Sequence, residues 1–314
     1  MTVAKPSPRI LAHAAALLAH GRLVAFPTET VYGLGAAADD ARAVLALYAA
    51  KGRPRFNPLI AHVADIAAAR RLVRFDARAE SLAEEFWPGP LTLVLPRMAS
   101  GTVCALARAN LETIGVRMPD HDVALALLRR FGRAIVAPSA NRSGRLSPTT
   151  AQAVHLGLGA RVDLVIEGGQ CRVGLESTIV DLSSAHATLL REGGIARAAI
   201  EKLIGKLAQR GTSIKAPGML ASHYAPRARL RLEAANAKPG EAYLGFGALP
   251  KLAADIPALS LSPTRDLAQA AHNLFGYLQT LDRAHVNTIA VAPIPATGLG
   301  AAIRDRLARA AAPR

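Results

Sequence analysis

Three cations, Lys51, Arg53 and Arg55, fall within the five residues Lys51-Gly-Arg-Pro-Arg55 at the end of a helical pattern. Phe56-Asn57-Pro58 follows, and then an apolar run, Leu59–Val63, that contains His62. Guanidinium and ammonium groups at this spacing can clamp a triphosphate through charge-assisted hydrogen bonds. The same charges would also complement the negative end of a helix. His62, inside an apolar strand pattern, is either ligand-facing or a satisfied core histidine.

Upstream, Phe26-Pro-Thr-Glu-Thr-Val-Tyr-Gly-Leu-Gly35 runs from a strand into Pro27, which blocks further ladder pairing. Thr28, Glu29 and Thr30 cluster before Gly33 and Gly35, and glycine admits positive φ and close approach of a ligand to backbone N–H groups. A plain polar turn is the alternative. Phe86-Trp-Pro-Gly-Pro-Leu-Thr-Leu-Val94 holds the single tryptophan and reads as architecture, a turn that launches a strand. Thr113-Ile-Gly-Val-Arg-Met-Pro119 puts Arg117 near a strand end, where it can grip a carboxylate in bidentate fashion or lie exposed on the rim.

Ala137-Pro-Ser-Ala-Asn-Arg-Ser-Gly144 is rich in hydroxyl, amide and backbone donors, among them Ser139. Ser147-Pro-Thr-Thr150 predicts a helix start with Ser147 as N-cap and Pro148 at the first position. Such a terminus receives phosphate, although capping alone also explains the serine. Glu176-Ser-Thr-Ile-Val180 and Leu190-Arg-Glu-Gly-Gly194 add Ser177 and Arg191. Each of these clusters sits at the end of a predicted strand, which is where ligands bind in open α/β sheets.

The elements that must position them are read from apolar periodicity. Strands are expected at 23–26, 59–63, 91–95, 114–117, 134–137, 164–166, 178–182 and 188–191. Helices are expected at 10–21, 39–50, 64–72, 77–86, 123–131, 149–157 and 196–207. Strands interleaved with helices predict an α/β fold. The closely spaced late strands leave no room for a helix between them and make the sheet mixed. A linker, 206–228, carries His223-Tyr224 and is basic, with no acidic residue from Lys206 to Arg227. From 229 to 314 a small βα-type second domain is predicted, with strands at 230–232, 242–246, 258–261 and 288–292 and helices at 266–284 and 299–311.

With 314 residues, 51% of them hydrophobic, the chain has material for two packed domains and little tendency to disorder. Net charge is +15, which draws polyanions, or reflects arginine-rich usage alone. Cys104 and Cys171 match neither a disulfide framework nor a metal site and read as small core residues of a cytoplasmic protein. No run reaches the ~18–20 apolar residues of a membrane span, and no leader pattern opens the chain.

Together these segments resemble the YrdC-type threonylcarbamoyl-AMP synthase family over residues 10–205. The match lies in FPTETVYGLG, KGRP, NPLI with His62, WPGPLTLVL, VRMP, PSANRSG, ESTIVD and LREGG. The rest resembles the family's long form, in which a linker with Pro217-Gly-Met219 and His223-Tyr-Ala-Pro226 precedes a small Rossmann-like domain. Ala216 stands where that pattern has serine. The resemblance implies three parts: a YrdC-like open twisted mixed sheet with helices over 1–205, a structured lid over 206–228, and a Rossmann-like α/β domain over 229–314.

It also implies a nucleotidyltransferase that makes threonylcarbamoyl-AMP and pyrophosphate from L-threonine, bicarbonate and ATP for tRNA modification. By the same resemblance, Thr30, His62, Arg117, the backbone of Ala137 and Ser177 contact threonine. Lys51, Arg53, Asn57, Thr113, Ser139, Ser147 and Arg191 contact ATP, under a lid containing Tyr224. Lys51, Arg53 and Arg117 are the expected catalytic cations. Mg2+ would come with ATP rather than in a protein metal site, and tRNA or a downstream transferase complex is a candidate partner. An RNA-binding module without catalysis would explain the charge but not the clustering at strand ends. A carbamoyl transferase domain for another acceptor would not need the His-Tyr-Ala-Pro linker.

Overall fold

Short polar side chains set where most helices begin. Ser7, Asp40, Asp65, Asp76, Thr150 and Asp266 each accept from backbone N–H groups of the first turn that follows them. This satisfies donors that a helix start leaves unpaired. The structure, a computed structural model, describes residues 2–209, 211, 216–217, 222–284 and 286–313. Gly218, Met219 and Leu220 of the linker motif lie outside the described residues.

In chain order the elements begin β1 (Thr2–Ala4), α1 (Pro8–Ala19), β2 (Val24–Phe26), β3 (Gly33–Ala37), α2 (Ala41–Lys51) and β4 (Ile60–His62). They continue with α3 (Ile66–Arg70), α4 (Ala77–Phe86), β5 (Leu91–Pro96), β6 (Thr113–Arg117), α5 (Asp122–Phe131), β7 (Ile135–Val136) and α6 (Ala151–Leu158). Then come β8 (Leu164–Ile166), β9 (Thr178–Asp181), β10 (Thr188–Arg191), α7 (Arg197–Ile204) and β11 (Ala208–Gln209). The C-terminal part holds β12 (Arg229–Arg231), β13 (Glu241–Gly245), β14 (Ala258–Ser260), α8 (Leu267–Asp282), β15 (Thr288–Val291) and α9 (Leu299–Ala311).

The described strands form two sheets. The first has the order β1-β8-β2-β3-β7-β4-β6-β5-β9-β10-β11, with parallel and antiparallel neighbours mixed as expected. It runs on to Gln209, slightly past the expected end of the first domain. The second sheet, β12-β15-β13-β14, is parallel throughout. Helices follow its last two strands in chain order, β14 and β15, and a parallel sheet bearing such helices is a Rossmann-like arrangement. No helix among the described residues is long and apolar enough to cross a membrane.

Three local expectations are corrected. The strand β3 was not expected, because Gly-Leu-Gly-Ala-Ala lacks the β-branched and aromatic residues that mark strands. Gly33 and Gly35 lie inside it without positive φ. A Cβ on Gly35 would come within 2.9 Å of Phe26 and 3.0 Å of Ile135, so this glycine lets side chains of β2 and β7 close over the strand. Thr150, not Ser147, caps α6, which begins at Ala151 rather than at Pro148. The Ser147 hydroxyl is engaged elsewhere, with Glu176.

Candidate active site

The chain between β2 and β3 turns on Thr28. Its hydroxyl accepts from the Thr30 and Val31 N–H groups at 3.2 and 3.3 Å and donates to the Val31 carbonyl at 2.7 Å. That knot presents Thr30 and Val31 to a cavity of about 480 Å³. The ends of β4 and β6 bring His62 and Arg117 to the same cavity, in register as neighbours across the parallel pair. The segment after β7 supplies Ala137 and Ser139. Ser177 precedes β9, Arg191 ends β10, and Arg53 follows α2. The linker closes it with Pro217, His223 and Tyr224.

The structure therefore brings together Thr30, Arg53, His62, Arg117, Ala137, Ser139, Ser177, Arg191 and Tyr224 of the sequence-based set. Four others stand apart. Thr113 lines an adjoining cavity that shares Ile60 and Pro217 with the first. Lys51 braces the Ser139 segment, its ammonium donating to the carbonyls of Ser139 and Asn141 at 2.5 Å each. Asn57 lies behind Arg53, its backbone carbonyl accepting from Arg53 Nε at 3.2 Å, while its amide oxygen is buried without a hydrogen-bond partner. Ser147 is fully buried and donates to Glu176 at 2.5 Å.

Buried positive charge dominates the electrostatics. Burial, with Arg53 nearby, holds the Lys51 ammonium well below its ordinary range. Burial also pulls Arg53 down to about 10. Arg53 donates to the Asn57 and Pro58 carbonyls, and Arg191 forks onto the Ser177 carbonyl at 3.0 and 2.9 Å and its hydroxyl at 3.0 Å. Among the described residues none of Lys51, Arg53 and Arg191 has a carboxylate in an ion pair. Cations buried against neutral acceptors leave positive charge for an anion to neutralise.

Arg117 differs. It is buried rather than on the rim, with Nη2 2.6 Å from Glu29 Oε1 and Nε donating to the Gly89 carbonyl at 3.3 Å. The Glu29 approach is close but poorly directed, so neither carboxylate oxygen completes a hydrogen bond. Nη1 keeps its donors for a ligand among the described contacts. His62, edge-on to Phe26 with ring centroids 6.3 Å apart, is pushed down to about 3 by burial and by Arg117. It is a neutral imidazole near pH 7 and can accept a hydrogen bond.

Glu29, Glu176 and His223 were not assigned roles from the sequence. Glu29 and Glu176 stand inside the Phe26–Gly35 and Glu176–Val180 segments, where a carboxylate among hydroxyls is the available signal. Burial would raise Glu176, but Arg306, Arg191 and the Ser147 hydroxyl outweigh it and hold the carboxyl below its ordinary value. His223 lines the cavity with a buried Nδ1 that has no hydrogen-bond partner among the described residues, its ring 4.0 Å from that of Tyr224. Tyr224 has φ of 61°, a left-handed conformation that costs a non-glycine residue ~1–2 kcal/mol.

Comparison with known proteins decides the family. The Sua5/YciO/YrdC family model, described as telomere recombination, matches residues 16–193, and that of the threonylcarbamoyl-AMP synthase C-terminal domain matches 195–312. The chain belongs to the threonylcarbamoyl-AMP synthase family. The threonylcarbamoyl-AMP synthase of Pyrococcus abyssi is 42% identical over 95% of this chain and 92% of its own. That of Bacillus subtilis is 40% identical over 97% and 93%. The crystal structure of P. abyssi Sua5 complexed with L-threonine superposes with a TM-score of 0.91 at 36% identity, covering 99% of this chain and 98% of that one. Escherichia coli YciO, 24% identical with a TM-score of 0.54 over 60% of this chain and 92% of its own, shares the fold of the larger domain. The long form of the threonylcarbamoyl-AMP synthase family thus accounts for both sheets.

Proposed function

We propose that the chain is an L-threonylcarbamoyladenylate synthase. It joins L-threonine, bicarbonate and ATP into threonylcarbamoyl-AMP, pyrophosphate and water, for the threonylcarbamoyladenosine modification of tRNA. The observation that carries this reading is the one cavity that brings Arg117 together with Arg53 and Arg191, buried cations that have no carboxylate in an ion pair among the described residues. Such a cavity suits an amino acid beside a polyphosphate. Full-length similarity to enzymes of that name supports it.

In this account Arg117 takes the threonine carboxylate, while Thr30, neutral His62 and Ser177 hold its amine and hydroxyl. The backbone of Ala137 marks the boundary with the nucleotide. The amine nitrogen attacks the carbon of bicarbonate and water leaves. The resulting carbamate oxygen attacks the α-phosphorus of ATP, and the bond to the bridging oxygen breaks with its electron pair going to pyrophosphate. Arg53, Arg191 and Lys51 offset that charge, and Ser139, Asn57 and Thr113 complete the nucleotide side. Ser147 acts through Glu176. No covalent protein nucleophile is required; positioning and fixed charge carry the step. The linker's His223 and Tyr224 exclude water from an intermediate that hydrolyses easily.

Mg2+ arrives as part of the ATP substrate, on phosphate oxygens and water. The donor chemistry favours this, because the two nearby carboxylates, Glu29 and Glu176, are taken by arginines. The free thiols of Cys104 and Cys171, together with ATP as substrate, fit a cytoplasmic location. The test is pyrophosphate release from ATP by the purified chain, which should require both threonine and bicarbonate. Release that ignores either one contradicts the reading.

A groove of about 1450 Å³ between the two domains favours an RNA-bearing partner, either tRNA itself or a transferase holding it. Arg142, Arg145, Arg161, Arg227 and Arg283 stand exposed along it, against one acidic residue, Asp282, which accepts from the Ala228 N–H. Binding of tRNA that falls steeply with salt and weakens on removal of these arginines is expected. A flat salt response would exclude it.

A further inference from the structure

The C-terminal domain sends one charged side chain into the catalytic half. Arg306, on α9, is 1% exposed and heads the fully buried side chains by volume. Its Nε donates to Glu176 Oε2 at 2.7 Å, Nη2 to the Glu192 carbonyl at 2.8 Å, and Nη1 to Asp305 Oδ2 at 2.7 Å. Its guanidinium carbon lies 5.0 Å from the centre of the Tyr224 ring. One side chain thus ties the residue before Ser177, the residue after Arg191, and the lid tyrosine to a helix of the second domain.

We infer that Arg306 is a positioning residue for the nucleotide half of the active site: by holding Glu176 it keeps Arg191 on neutral acceptors at the cavity wall, its charge not taken by that carboxylate. The inference rests on the function proposed above and assigns a catalytic-domain task to the second domain.

The physical argument concerns a buried carboxylate with two arginines in range. Glu176 lines the cavity, accepts from Ser147 on one oxygen and takes Arg306 on the other. Arg191 spends its Nε and Nη2 donors on the carbonyl and hydroxyl of Ser177, the neighbour of Glu176, and its Nη1 reaches the Pro217 carbonyl at 3.5 Å. A buried charge stripped of its partner is strongly unfavourable, so it finds another or takes up a proton. Without Arg306, the other arginine whose charge already acts on Glu176 is Arg191. Arg191 would then turn from Ser177 and from an incoming phosphate to a protein carboxylate. The ring of Tyr224 would lose its cation at the same time. Threonine would be affected little, because Arg117, Thr30 and His62 keep their places and the Ser177 hydroxyl retains its 2.7 Å contact with the Thr92 hydroxyl.

The test measures ATP and L-threonine affinities separately, by calorimetry on the full chain, for Arg306→Gln, Arg306→Lys and the double variant Arg306→Gln/Glu176→Gln. Arg306→Gln should weaken ATP by roughly tenfold or more and threonine by less than about twofold. Arg306→Lys keeps the charge but not the fork and should fall between. The double variant removes both buried charges and should recover most of the ATP loss, which a merely structural contact would not do. A folded Arg306→Gln or Arg306→Lys protein that binds ATP as the parent does would overturn the inference. So would equal loss of both ligands, a double variant no better than the single, or failure of all three variants to fold. If Arg306→Gln alone fails to fold, the other two decide. Because binding is read rather than turnover, the two failures are distinguishable: a parent chain that binds ATP but makes no threonine-dependent product sinks the proposed function, whereas unchanged ATP affinity in the Arg306 variants of a productive parent sinks this inference alone.

Discussion

Arg117 is held by Glu29 and the Gly89 carbonyl before any ligand arrives, so its orientation is set by the protein. Arg117→Ala should therefore weaken threonine binding by more than tenfold, the size of a lost charged hydrogen-bond pair, and ATP binding by less than about threefold. Calorimetry with each ligand checks this, and equal losses would refute the carboxylate role. His62 and His223 are both pushed from 6.5 to about 3, chiefly by burial. Above about pH 6.5 both are neutral whether folded or not, and stability is complete. As pH falls toward 3 the unfolded chain takes up protons that the folded chain refuses, so stability drops by up to about 1.4 kcal/mol per pH unit for each histidine. Urea unfolding of the parent and of His62→Gln across this window should show a shallower decline in the variant; identical slopes would contradict it. The structure brings Thr30, Arg53 and Arg117 to one cavity, and that all three lie where predicted elements end was legible from the sequence. The counter-charges were not, because Glu176 and Arg306 lie 130 positions apart and only tertiary packing makes them a pair.

At the scale of elements, apolar runs marked most strands and helices within a few residues. β3 failed the same test because its glycines serve close packing of neighbouring strands, a demand that leaves no β-branched signature. The Ser147 helix start failed because a competing acceptor, Glu176, claimed the hydroxyl and Thr150 took the cap. The turn after β10 presses directly on the start of β9. A Cβ on Gly193 would lie 2.3 Å from the Thr178 nitrogen and 2.4 Å from the Glu176 carbonyl oxygen. Those are backbone atoms that cannot swing aside. Gly193→Ala should cost about 1–3 kcal/mol and also weaken ATP binding, since Glu176, Ser177 and Arg191 must shift together. An unchanged denaturation midpoint would contradict the close packing of this turn.

The whole molecule is stitched by more than Arg306. Val31, Leu146 and Leu175 of the catalytic half pack in one apolar cluster with Tyr224 and the core of the second domain, including Phe275 and Leu278. This shared core was not legible in the sequence, because no local pattern marks which apolar residue faces another part of the chain. A chain ended after Gly205 should keep most of the first sheet, losing β11, yet expose that cluster and leave Glu176 without its arginine. It should melt at a lower temperature and fail to retain ATP; full activity in the shortened form would refute a closing role for the linker and second domain. The central claim is that one cavity joins an amino acid, an inorganic carbon and a nucleotide. Mass spectrometry of the product formed from ATP, L-threonine and carbon-13 bicarbonate tests it most directly. A threonylcarbamoyl adenylate carrying the heavy carbon is the expected species, whereas an unlabelled threonyl adenylate, or AMP that forms regardless of threonine, would contradict the account.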